Sequence, residues 1–225
     1  MSALARLTVA VFFAAFAHAA TLEQVLAAMD AASASFQTMS AKVEWVSHQG
    51  VVNEDSTDRG TIALRRPAAG SMTMLIELTD PNRKSVLLSG RKLELYFPKI
   101  RTVQEYDAGK NRQTFEEFLL LGFGSSGKDL AEKYKIRLLG EETVAGRETS
   151  HLELTPLSAE VLKHLKKAEL WIAAQGAYPL RQKLYFAAGD YSLISYTAVR
   201  INPPLAGSAL SLKLPKGVKR EFPQK

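Results

Sequence analysis

Proton-transfer and metal chemistry would fall first to the histidines, of which the chain has four. His18 lies in the leader discussed below. His48, His151 and His164 are far apart, and none stands in a His-x-x-His or His-Glu-x-x-His spacing that would bring two ligands to one helix face. His151 falls in an alternating stretch, Thr149 to Leu154, and reads as an outward polar residue. The chain has no cysteine, which excludes a thiol nucleophile and a lipobox cysteine for acyl anchoring. Gly122-Phe123-Gly124-Ser125-Ser126-Gly127 superficially matches a phosphate loop, but the Gly-Lys-Ser/Thr ending is missing and no strand-turn-helix unit frames it. No Gly-x-Ser-x-Gly elbow occurs. These residue types point away from an enzyme, and neither cofactor nor metal is expected.

The elements that could position anything else begin after a leader. Arg6 is the one charged side chain before Glu23, Leu7 to Phe16 is apolar, and Ala17-His18-Ala19 is a small-x-small pattern. That order of basic, apolar and small-residue regions is a cleaved signal peptide over residues 1–19, because an apolar run of roughly ten residues is too short to span a bilayer. The expectation is therefore an exported, periplasmic chain with one domain over 20–225, since no Pro/Ser-rich linker or fixed-period repeat divides it. With 46% hydrophobic and 23% charged residues the composition is globular and disorder is excluded. The net charge of +6 falls to +5 without the leader, and the basic residues are scattered, which argues against a nucleic-acid partner.

Thr21-Leu22-Glu23-Gln24 reads as a capping box, and Leu22, Val25, Leu26, Met29 and Phe36 follow at helical spacing as one apolar stripe. Past Met39 the period changes to two. Val43 and Trp45, then Ile62 and Leu64, then Met72, Met74, Ile76 and Leu78, then Leu93, Leu95 and Phe97 each alternate with other residues, and Asp80-Pro81-Asn82 and Ser89-Gly90 supply turns. A meander of antiparallel strands with one apolar face follows from this pattern. A second capping box, Thr114-Phe115-Glu116-Glu117, opens a short helix that Gly122 would stop. After the flexible glycine-rich stretch and a short helix near Lys128 to Lys133, strands resume at Tyr134–Leu139, Thr149–Leu154, Ala168–Ile172, Leu180–Phe186 and Tyr191–Val199. Ser158 to Lys167 is read as a surface helix or a long, partly helical connection, and Leu210 to Leu214 as a last strand.

Many antiparallel strands with a few amphipathic helices bury both apolar stripes when the sheet curls around a helix. Taken singly, each Leu or Ile here is read as core. Two features add a binding reading. Met72 and Met74 set flexible thioethers side by side on one face. Phe115, Phe118, Leu119 and Phe123 lie on a short element near glycines, and a helix that short is stable only through what it covers. They read as a lid, or equally as a core helix with a glycine stop.

The order of segments from about Thr21 to Val218 resembles the LolA family, periplasmic carriers of outer-membrane lipoproteins. The residues that carry the resemblance are Ser35-Phe36-Gln37-Thr38-Met39, Gly60-Thr61-Ile62-Ala63-Leu64-Arg65-Arg66-Pro67 and Leu87 through Tyr96. Leu170-Trp171-Ile172, Gly176, Pro179-Leu180-Arg181-Gln182 and Pro215-Lys216-Gly217-Val218 complete them. The resemblance implies a mainly β fold with α, a curled antiparallel sheet forming an incomplete β-barrel, covered by helices acting as a lid over an apolar cavity. It implies lining by Val43, Trp45, Ile62, Leu64, Met72, Met74, Ile76, Leu93, Leu95 and Phe97, and a lid of Phe115, Phe118, Leu119 and Phe123. In such carriers the arginine of the Arg-Pro pair ties down the lid, and Arg66 matches it, although by type alone Arg66 is a solvated strand-end charge. The implied partners are acylated lipoproteins or other lipids, an inner-membrane transporter and an outer-membrane acceptor, for a monomer. The lid sequence departs from the family's usual one, and Leu and Met stand in the lining where aromatics are usual. A carrier of another lipid is one alternative; a lipid- or lipoprotein-sensing domain of the RseB-like regulators is another, although those add a domain for which residues 20–225 leave no room.

Overall fold

Helical and strand periods in the sequence turn into elements much where they change. The structure is a computed structural model describing residues 20–67, 72–107, 109 and 121–223. The leader, the Thr114–Glu117 capping box, and Phe115, Phe118 and Leu119 lie outside the described residues.

Helix α1 (Leu22–Ala34) starts at the expected box: the Thr21 side chain accepts from the Gln24 amide, and the Gln24 side chain accepts from the Thr21 amide at 2.8 Å. It ends two residues before Phe36, which therefore leaves the helical stripe and joins a different cluster from Val25 and Met29. Helix α2 (Gly127–Lys133) begins at Ser126, whose hydroxyl accepts from the Asp129 amide at 2.9 Å, while Asp30 of α1 accepts from the Lys128 amide at 3.0 Å. The two helices touch at Gly127, where an added Cβ would lie 2.3 Å from the Leu26 carbonyl oxygen, so only glycine fits. Helix α3 (Ala159–His164) is the surface helix expected between Ser158 and Lys167. No helix among the described residues is long and apolar enough to cross a membrane.

Among the described residues twelve strands form one sheet. They are β1 (Thr38–Gln49), β2 (Glu54–Arg65), β3 (Thr73–Asp80), β4 (Lys84–Ser89), β5 (Lys92–Phe97), β6 (Thr102–Asp107), β7 (Tyr134–Val144), β8 (Arg147–Pro156), β9 (Lys167–Ala173), β10 (Pro179–Tyr185), β11 (Tyr191–Ile201) and β12 (Lys219–Glu221). Their order is β12-β6-β5-β4-β3-β2-β1-β11-β10-β9-β8-β7, antiparallel except for β12 on β6. Two meanders thus meet through the long β1–β11 pair, and the sheet does not close: the fold is an incomplete barrel with helices.

The period-2 alternation divides the residues between two faces. On the inner face, the half built by β7 to β10 is filled by α1 and α2, with Val25, Met29 and Leu130 packed on Leu152, Leu154, Leu170 and Leu184. The other half, β1 to β5 with β11, carries the methionine-rich cluster described below.

The C-terminal end departs from expectation. Leu210 to Leu214 is not a strand; Gly207–Leu210 is a 3-10 turn, and the strand comes later, at β12. The reason lies on the outer face. Leu75 and Leu87 occupy outward positions in β3 and β4, and Leu205, Leu210 and Leu212 cover them in place of solvent. Polar ties fix this strap. The Arg65 guanidinium donates to the Leu205 carbonyl and Arg101 to that of Lys216, while Arg220 reaches Glu94 at 2.7 Å and Glu105 at 3.1 Å. Glu94 is nearly buried, so the pairing with Arg220 offsets the desolvation of its carboxylate.

Candidate functional site

Strand register stacks the inward residues of β1 to β5 into rows. The first row is Met39, Leu64, Met74, Leu88 and Leu93, each opposite the next. The second is Ala41, Ile62, Ile76, Val86 and Leu95. Both rows are wholly apolar. Exposure changes along them: Met39, Leu64 and Met74 are fully buried, whereas Val86, Leu93 and Leu95 are half-buried, as is Phe97 at the end of β5. Met72 is buried and belongs to the same cluster. Nine of the ten sequence-expected lining residues thus lie on the inner face of these strands, including Val43 and Trp45 one and two steps further along β1, and Met72 directly precedes β3.

Polarity rises in those further rows. Val43 faces Gly60, Gly60 faces Leu78, and Leu78 faces Lys84. Trp45 then stands opposite Asp58, whose carboxylate pairs with Lys84 at 3.1 Å. One end of the inner face is thus hydrocarbon and the other ends in an ion pair.

Phe36 and Phe123 pack on the apolar end. Phe123, one of the expected lid residues, is 1% exposed, Gly124 to Ser126 are half-buried, and Ser126 caps α2, in a stretch where flexibility was expected. Gly124 has φ +63° and an added Cβ would sit 2.4 Å from the Phe36 ring, which makes glycine necessary there. The Arg66 guanidinium donates to the Gly124 carbonyl and lies 5.8 Å from the Phe36 ring centroid. Its own amide donates to the Gln37 carbonyl at 2.7 Å, continuing the strand pairing beyond β2.

Two polar residues that the sequence reading passed over hold the same stretch. Gln182 is fully buried; its amide donates to the Leu121 carbonyl and accepts from the Tyr196 hydroxyl at 2.7 Å. Burial pushes the Tyr196 phenol upward, so it stays a neutral donor. The Tyr196 ring meets Phe123 edge-on, with centroids 4.8 Å apart. The available signal was parity: Gln182 shares the inward face of β10 with Leu184, and a polar residue there requires partners.

Two of the histidines are held by stacking and ion pairs. His48 stacks on Tyr191 and pairs with Asp55 at 2.7 Å. His151 lies on the outer face, as expected for its position, yet is mostly covered: it stacks on Trp171 with centroids 4.1 Å apart and meets Glu142 at 2.7 Å. The Trp171 indole donates to the same Glu142, and chiefly this bond holds that carboxyl below its ordinary range. No group of three or more His, Cys, Asp or Glu among the described residues could hold a metal ion.

No family model matches the sequence, and no curated protein does. Solved structures match. MucB is 19% identical with a TM-score of 0.54, over 85% of this chain and 62% of that one, so the chain spans less than two thirds of MucB. An uncharacterised conserved protein from Thermus thermophilus is 13% identical with a TM-score of 0.54, over 89% and 98% of the two chains. A LolA superfamily protein from Nitrosomonas europaea is 15% identical over 86% and 99%, at a TM-score of 0.39. With its open twelve-stranded sheet, its helices on the inner face and its likeness to MucB, the chain has a LolA/LolB/RseB-like fold.

Proposed function

We propose that the protein is an exported carrier that shields acyl chains against the inner face of β1 to β5 and moves lipoproteins from the inner membrane towards the outer membrane. The observation that carries this reading is the pair of apolar rows, buried on β1 to β3 and at Leu88 of β4 and left half-buried at Val86, Leu93 and Leu95. Val86, Leu93, Leu95 and Phe97 form a contiguous, partly uncovered apolar surface on the inward side, which a hydrocarbon chain can complete. In this reading Phe115, Phe118, Leu119 and Phe123 form the lid and Arg66 is its latch. An inner-membrane transporter loads the protein and an outer-membrane acceptor unloads it. Each methylene moved out of water contributes about 0.8 kcal/mol, so one acyl chain of ordinary length supplies on the order of 10 kcal/mol. That is ample for capture, and release then becomes the step that the protein must assist.

The test uses Leu95, which is half-buried and tolerates a long side chain that can reach outward. Leu95→Arg is expected to weaken binding of a fluorescent fatty acid by roughly tenfold, because a cation beside the chain must be desolvated, with little change in urea stability. Unchanged binding by the folded variant would place the ligand elsewhere.

A further inference from the structure

Three buried side-chain nitrogens among the described residues have no hydrogen-bond partner: Nε2 of His151, Nε of Arg181 and Nε1 of Trp45. The first two flank the Trp171 ring on the outer face, Arg181 with its guanidinium carbon 5.4 Å from the centroid, and His151 Nε2 also lies 3.4 Å from a Glu169 oxygen. Neither faces the apolar rows. Trp45 does. It packs against the buried cluster that includes Met39, Leu64 and Met74, and its indole N–H is a donor left without a partner. Buried donors are almost always paired, and an unpaired one is costly enough to call for an occupant.

The position of Trp45 says what that occupant is. Deeper along the strands lie Val43 and the two apolar rows; in its own row stands Asp58, paired with Lys84. Trp45 therefore marks the boundary between hydrocarbon and charge. A molecule laid along this face with its tail in the rows presents at that boundary the first polar atom after the chain, and it must be an acceptor.

We propose that Trp45 is a specificity-determining residue whose indole N–H donates to the carbonyl oxygen of an acyl ester or amide. The bond sets how deep the chain enters and selects acylated molecules over bare hydrocarbon. This rests on the carrier reading of the inner face. Side chains of Asp58 and Lys84, 22% and 39% exposed, then border the head group.

The experiment compares methyl palmitate with hexadecane, both delivered from cyclodextrin, on the wild-type protein and on Trp45→Phe, which keeps an aromatic ring and removes the donor. The wild type is expected to hold the ester roughly three- to tenfold more tightly than the alkane, the range of one added hydrogen bond. Trp45→Phe is expected to lose that preference and hold the two alike. A preference that persists in Trp45→Phe, or that is absent from the wild type, overturns the proposal and leaves the carrier reading standing; a wild type that holds neither ligand overturns both. Should the variant not fold, the wild-type indole proton decides: of the chain's two tryptophans, the Trp45 signal moves downfield with the ester and stays with the alkane. No movement with bound ester overturns the assignment.

Discussion

Arg66→Leu is expected to load acyl chains as the wild type does and to hand them on roughly ten- to a hundredfold more slowly. The guanidinium donates to the Gly124 carbonyl and stands over Phe36, so it ties the end of β2 to the stretch that follows the proposed lid. A hydrogen bond to a charged group contributes about 1.5–3 kcal/mol, which corresponds to the stated range in an open–closed equilibrium. If that bond stabilises the closed, empty state, it opposes opening and assists release, since re-forming it offsets part of the burial lost when the chain departs. The variant lacks this assistance, so the loaded state gains. Transfer of a fluorescent acyl probe to acceptor vesicles measures the effect. Arg66→Lys, with the charge but without the planar fork, falls between. Transfer at the wild-type rate by Arg66→Leu would remove the latch from the account.

Gln182→Leu has the largest expected effect on stability, a loss of about 2–4 kcal/mol in urea unfolding. The fully buried amide satisfies both the Leu121 carbonyl and the Tyr196 hydroxyl, and leucine leaves two polar groups buried without partners. Tyr196→Phe removes one of the two bonds together with its own hydroxyl and should cost about 1 kcal/mol. A loss below about 0.5 kcal/mol in Gln182→Leu would mean that the amide is not paired as described. Because Leu121 lies three residues before Gly124, Gln182 and Arg66 hold one stretch from two sides.

Period-2 alternation made the floor legible. Met72, Met74, Ile76 and Leu78 were readable as one face because nothing interrupts their parity; β3 presents the last three so, and Met72, just before it, joins the same cluster. The half-buried state of Leu93 and Leu95 was not, since alternation reports a face and not how far it is covered. Parity also misled at the tail. Leu75 and Leu87 sit at outward positions, where the pattern implies solvent; the strap that covers them comes from more than a hundred residues later and has no period of its own. Phe36 stood seven residues after Met29 and so mimicked a helical stripe, but α1 had already ended. Arg66 could be singled out by resemblance, whereas its partner could not: the acceptor is a backbone carbonyl, which every residue possesses. Gln182 was within reach, as a polar residue on an inward face, and Trp45 was read as lining without regard to its unpaired nitrogen.

The most direct measurement is mass spectrometry of the apolar species extracted from the protein after purification from its own cells, for the wild type and for Arg66→Leu. Acylated lipoproteins should be present and enriched in the variant. Free lipids alone would keep the shielding face and redirect its cargo. If neither form yields any acylated or aliphatic molecule, and neither accepts an added fatty chain, the inner face of β1 to β5 is a closed core and the protein is no carrier.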